Sequence, residues 1–183
     1  MKQLNVAKNG YILISVMFYI AGSIYLILPD ISPMVLCIAG GILLIAYGII
    51  KIIGYFSDDL YCLAFQYDLG CGLLLIVLGI IVIVYNTGIY QYLTPGTGLL
   101  ILLDSLLKIQ TSKDAKAFGL ESWYLILILS VITGVLGGLI ITMSFREMSI
   151  SHIINGIGII FEGIMNHLFV INTVKAAKNR SLI

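Results

Sequence analysis

The sequence predicts an all-α membrane protein, a six-transmembrane-helix bundle made of three parallel helical-hairpin repeats. Three observations predict it. The composition is too apolar for a water-soluble domain, six apolar runs have bilayer-spanning length, and small residues recur along the chain at steps of 57 and 58. Of 183 residues, 60% are hydrophobic and only 10% charged, with a mean hydropathy of +1.10; a soluble domain carries about 25% charged residues. The net charge of +1 offers no basic surplus for nucleic acid and no acidic tail for a cationic partner.

The first span runs from Tyr11 to Leu28 and follows Lys2 and Lys8. Its Ala21-Gly22-Ser23 imitates the cleavage site of a secretory signal. The run continues to Leu28 and recurs in two internal helices, so it is expected to stay as a span. The second, Met34 to Ile53, opens on Ser32-Pro33, an N-cap followed by proline at the first helical position. The third is Leu69 to Tyr85; the fourth, Tyr92 to Ile109, is expected to open on Thr94-Pro95 in the same way. Trp123 to Met143 and Ile150 to Ile171 complete the set. All lie within roughly 17 to 25 residues, the length that crosses a bilayer. Helices are required because lipid offers no partners to backbone N–H and C=O groups, and no run alternates as a barrel strand would.

Lys2, Lys8, Lys51, Lys108, Lys113, Lys116, Lys175, Lys178 and Arg180 fall on or beside one face, against Arg146 alone on the other. By the positive-inside rule that face is cytoplasmic and holds both termini. The outer turns at Pro29-Asp30, Asn86-Thr87-Gly88 and Phe145-Arg146-Glu147 are short, and the inner loops are longer and charged. They leave no room for a soluble catalytic domain.

The repeat is carried by Gly22, Gly79 and Gly137, and in the same steps by Gly41, Gly98 and Gly156; by Gly48, Ser105 and Gly163; and by Ser15, Gly72 and Ser130. It divides one membrane domain, 1–183, into units of about 10–57, 67–114 and 123–172. Each unit crosses twice, so all three enter with one orientation and form parallel, not inverted, repeats. Every helix thus carries a small residue and another seven positions later, two turns on, a stripe that lets backbones approach closely. Packing explains the shared register better than a pore-lining or hinge role. Gly134 and Gly138 add a GxxxG spacing. Such stripes serve contacts within a monomer, a homo-oligomer or another membrane protein equally well.

Charged groups at membrane depth are costly and mark candidate sites. Tyr47, Asp104 and Glu162 stand immediately before the second small residue of each even helix, and Lys51, Lys108 and Asn166 follow four positions later on the same face. Asp104 and Lys108 form a ready ion pair, with Lys108 able to extend to the cytoplasmic interface. Glu162 has no cation at that spacing. Two readings stay open: hydrogen bonds that tie the hairpins together, or a proton-handling group at Glu162.

Other features read blandly. Cys37, Cys62 and Cys71 form no CxxC and are expected to be reduced thiols; no metal site, cofactor motif or catalytic constellation is legible, so no enzyme is expected. His152 and His167 read as amphipathic anchors near the two ends of the sixth helix. Tyr11, Tyr55, Tyr85, Tyr90, Tyr92, Trp123 and Tyr124 sit at span ends, as in an aromatic belt. Asn179-Arg180-Ser181 is a glycosylation triplet on the cytoplasmic side, where it is inert.

The repeat, Pro29 in the first outer turn, Ser122-Trp123 at the start of the fifth helix, and the string from Gly156 to Gly163 together resemble the HdeD-like acid-resistance membrane proteins. The resemblance covers about residues 10 to 170 and rests on architecture; Asn86 and Ser144 depart from the turn proline of the first repeat. It implies a bacterial inner-membrane protein with a non-enzymatic role in tolerance of acid or envelope stress, and carries over no catalytic residues. The alternative is a small transporter or channel subunit with a polar path at Asp104 and Glu162, and a membrane enzyme comes last. Few polar residues flank the midplane group, which favours a packed bundle over a conducting path.

Overall fold

The computed structural model describes residues 2–28, 31–57, 65–145 and 148–180. Pro29-Asp30, Cys62, Arg146-Glu147, Ser181 and the side chains of Lys2, Lys175, Lys178 and Arg180 lie outside the described residues. Six helices follow in order: α1 Lys2–Ile27, α2 Pro33–Tyr55, α3 Asp68–Val84, α4 Asn86–Ala117, α5 Trp123–Met143 and α6 Met148–Arg180. All but α3 are long and apolar enough to cross a membrane, and α3 is an apolar helix of 17 residues. The chain is a multi-pass membrane protein. Its periphery is what hydrocarbon requires, with Leu13, Val16, Ile42, Leu73, Val77, Ile128 and Val135 all exposed.

Two helix starts differ from expectation. Ser32 does occupy the N-cap with Pro33 at the first helical position, but its hydroxyl makes no capping hydrogen bond. The second pair does not cap at all, because α4 begins at Asn86 and carries Pro95 inside it. The break between α3 and α4 falls at Tyr85 alone, so Asn86-Thr87-Gly88 is helix and not turn. At its far end α4 continues through Lys113 and Lys116 to Ala117. It stops at Gly119, whose φ of 73° suits glycine; Leu120 N–H donates to Ala115 and Gly119 N–H to Lys116, a Schellman cap.

The closest helix pairs are α2 with α3, α4 with α5, and α1 with α6. All twelve stripe residues are buried. A methyl group added at Gly41 would lie 2.8 Å from the Gly79 carbonyl oxygen, and one at Gly79 would lie 2.7 Å from that of Gly41. Gly48 and Gly72 repeat this reciprocity at 2.6 and 2.7 Å, as do Gly98 and Gly137 at 2.9 Å each. Between α1 and α6, Gly22 meets the Gly156 carbonyl at 2.8 Å and Gly163 meets that of Ser15 at 3.0 Å. Backbones in such contact leave no room for a side chain. The three stripe serines behave as small residues: Ser15, Ser105 and Ser130 donate to carbonyls of their own helices at 2.7–2.8 Å.

The GxxxG pair does not act as a unit. Gly134 abuts the Ser105 hydroxyl, whereas a side chain at Gly138 would meet nothing within 4 Å. Gly137 and Gly138 point to opposite sides of Gly134, about 100° apart around the helix, and α4 lies on the Gly137 side. By contrast α3 and α4 scarcely touch, while α1 packs on α2 and α5 on α6. Inside, Tyr11, Phe18, Tyr47 and Phe65 form an aromatic cluster with centroids 5.3–6.1 Å apart.

Candidate functional site

The polar residues at depth converge. On α2, Tyr47 and Lys51 share a face; on α4, Asp104 and Lys108; on α6, Glu162 and Asn166. Lys51 Nζ lies 2.9 Å from Asp68 Oδ1 and 3.2 Å from Asp104 Oδ1. Lys108 pairs with Asp104 four residues back, and reaches Glu162 Oε1 at 3.2 Å and Asn166 Oδ1 at 2.7 Å. Asn166 Nδ2 donates to Glu162 Oε1 at 3.0 Å, and the Tyr47 hydroxyl donates to Asn166 Oδ1 at 2.9 Å. The Tyr11 hydroxyl donates to Asp68. Five helices are thereby linked through one cluster, to which α5 contributes nothing.

Burial makes the pairing obligatory. Lys51 and Lys108 are each only 4% exposed, and an unpaired ion so placed costs several kcal/mol. Lys108 therefore turns inward, not out to the cytoplasmic interface. Aromatic faces complete the shell: Lys51 Nζ lies 4.9 Å from the Tyr47 ring centroid and Lys108 Nζ 5.8 Å from that of Phe169. Two ammonium groups face three carboxyls, so one carboxyl is in excess. The residue of that imbalance is visible. Glu162 Oε2 is buried with no hydrogen-bond partner, and Asp104 Oδ2, though ion-paired to Lys108, accepts no hydrogen bond either. Both carboxyl groups pair with the same Lys108 ammonium, Asp104 through Oδ2 and Glu162 through Oε1.

A cavity of about 420 Å³ opens beside the cluster, between α3 and α4 where those helices part. Leu44, Leu74, Leu75, Leu100 and Leu103 form its walls, and Tyr47, Lys51, Asp104 and Glu162 its floor. A second cavity of about 20 Å³, lined by Gln66, Tyr67 and Thr111 among others, lies by the same Lys51 and Asp104.

A family model describing a short repeat of unknown function (DUF308) matches residues 13–84 and again 70–142. The starts step from 13 to 70, a shift of 57, and the ends from 84 to 142, a shift of 58, the same steps that relate the stripe glycines. The chain belongs to the DUF308 short-repeat family. No curated protein and no solved structure matches it.

Two members of the cluster in this DUF308 chain, Tyr11 and Asp68, escape a reading of the sequence by hydropathy. Asp68 stands just before an apolar run, and a tyrosine at a span end fits an aromatic belt. Tyr11 is instead 1% exposed and hydrogen-bonded, unlike Tyr55, Tyr85, Tyr90, Tyr92 and Tyr124, which are exposed. The missed signal was the DUF308 step itself: Tyr11, Asp68 and Ile126 are equivalent positions, 57 and 58 apart, and all three are buried. Thr97 and Asn155 are another equivalent pair, joined at 2.7 Å.

The two histidines are contacts to α1 and not free anchors. His152 stacks on Tyr25 at 4.0 Å, and His167 Nδ1 lies 3.4 Å from the Tyr19 hydroxyl. Cys37 and Cys71 are free thiols, the first buried and the second on the cavity wall. Among the described residues no His, Cys, Asp and Glu side chains group as metal ligands.

Proposed function

We propose that this DUF308 protein is a non-enzymatic component of the bacterial cytoplasmic membrane that crosses it six times, with both termini inside, and acts in tolerance of acid or envelope stress. The HdeD-like acid-resistance proteins are members of the same family, and the resemblance in repeat and closing string supports placing this chain with them. Three parallel hairpins form the bundle, each lending its glycine stripes to its neighbours. Pairing of α6 with α1 supports that arrangement, because it joins the last repeat to the first as α2–α3 and α4–α5 join the others.

The observation that carries the proposal is the excess carboxyl in the buried cluster. A site with three acids and two ammonium groups at membrane depth is neutral with one proton added. Glu162 Oε2 is buried without any partner, whereas Asp104 Oδ2 has the Lys108 ammonium beside it, so the added proton belongs on Glu162. The bundle thus holds a proton in a buried cluster, and the cavities that reach Asp104 and Glu162 are the path by which it exchanges with water. The test compares acid survival of cells carrying Glu162→Gln and Glu162→Ala with wild type, at matched amounts of membrane-inserted protein. Gln, which keeps the shape and neutrality of the protonated acid, should insert normally and change the pH at which survival falls. Equal loss of inserted protein in both variants would reduce Glu162 to a packing role.

One observation favours a second reading, a small transporter or channel subunit: the 420 Å³ cavity reaches both Asp104 and Glu162. Flux of protons or ions in reconstituted vesicles, abolished by Asp104→Asn, would establish it in place of the first.

A further inference from the structure

The cavity between α3 and α4 has the composition of an amphiphile site. Its walls are leucines, and Leu74 and Leu103 at the parting of the helices are 45% and 44% exposed. A mouth built of such residues opens sideways, into hydrocarbon, so what enters must itself be lipid-soluble. Its volume of about 420 Å³ falls in the range of about 300–1,000 Å³ usual for small-molecule sites.

The floor decides the head group. Asp104 and Glu162 line the cavity; Glu162 Oε2 is buried without any partner, and Asp104 Oδ2 has only the Lys108 ammonium. The charged groups around them are Lys51 from α2, Asp68 from α3 and Lys108 from α4, with the Tyr11 and Tyr47 hydroxyls alongside, and their sum is one negative charge when every carboxyl is ionised. An anion would add to that excess and a neutral alcohol would leave it standing. A monovalent ammonium cancels it and supplies the donor that Glu162 Oε2 lacks.

We infer that this cavity binds a lipophilic amine, a single ammonium group on an apolar body, with the ammonium at Asp104 and Glu162 and the body among the leucines of α3 and α4. The inference rests on the reading of the cluster as a one-proton site: the ammonium replaces the proton, which leaves to water, so that charge is conserved in the exchange.

The test uses the purified chain in phosphatidylcholine nanodiscs, whose lipid carries no net charge, with radiolabelled decylamine as probe and decanol and decanoate as competitors. Decylamine should bind saturably, decanol and decanoate should compete at least tenfold more weakly, and one proton should be released per amine in weakly buffered medium. Glu162→Gln should weaken binding tenfold or more. Leu103→Trp, a change at a half-exposed position that leaves the cluster intact, should block the mouth and do the same, so the proposal stays testable even where the Glu162 variant fails to fold. Equal competition by decanol, or no saturable binding, would overturn the amine site. Saturable amine binding without proton release would uphold the cavity and overturn the one-proton reading.

Discussion

At Lys108 a single ammonium holds two carboxylates from different helices, Asp104 and Glu162, and a side-chain amide, Asn166. Removing it strands Glu162 in the bundle interior and leaves Asp104 only Lys51, which it shares with Asp68, a loss of about 3–5 kcal/mol by the behaviour of broken buried pairs. Lys108→Met should therefore abolish the monodisperse peak in size-exclusion chromatography in mild detergent. The double variant Lys108→Met/Glu162→Gln returns the cluster to one excess charge and should recover part of that peak; no recovery would mean that Lys108 acts through packing and not charge. At this scale much of the cluster was legible. Tyr47, Asp104 and Glu162 with Lys51, Lys108 and Asn166 are conspicuous because polar side chains are rare in apolar runs. What hydropathy alone hides is a partner at the edge of a run: Asp68 reads as loop and Tyr11 as belt, although the two share a hydrogen bond.

Among the helices, the glycine contacts make a sharp test. A side chain at Gly72 would press on the Gly48 carbonyl oxygen at 2.7 Å, so Gly72→Val should cost about 1–3 kcal/mol by overpacking. Gly70→Val, two residues away where nothing lies within 4 Å, should leave the melting temperature within a few degrees. Equal effects at the two positions would show that α3 is sensitive to any β-branched residue and not to its contact with α2. At the end of α4, Gly119→Ala places a Cβ at φ 73° and should lower stability by about 1–2 kcal/mol, read as a lower midpoint in thermal unfolding. Helix existence was plain from the apolar runs; the bounds were not. Ser32-Pro33 and Thr94-Pro95 look alike locally, yet one starts a helix and the other lies within one. The difference comes from the single-residue break at Tyr85, which lets α4 begin at once.

For the molecule as a whole, the pairing of α6 with α1 means that no adjacent pair along the chain is privileged: α1–α6 packs through the same small-residue contacts as α2–α3 and α4–α5. A circular permutant that begins at α5, joins α6 to α1 by a short Gly/Ser linker and ends after α4 should therefore insert, run as one species and melt within a few degrees of the parent. Aggregation of this permutant would show that order of insertion, and not the final pairing, determines the bundle. The internal repeat was legible as a step of 57 and 58 residues, the step by which the two family matches are offset. That α3 and α4 stand apart while α1–α2 and α5–α6 pack was not, since equal stripes give no hint of unequal gaps. Leu74 and Leu103 look like any other lipid-facing leucines.

On the proposed six-span reading, α3 is a short crossing. Its 17 residues rise about 26 Å, against a hydrocarbon slab about 30 Å thick. Lipids beside it must shorten or the sheet must pinch, and the pinch falls at the mouth between α3 and α4. The protein should accordingly be more stable in bilayers of shorter acyl chains, and should gather such lipids around that one flank while the other flanks stay indifferent to thickness.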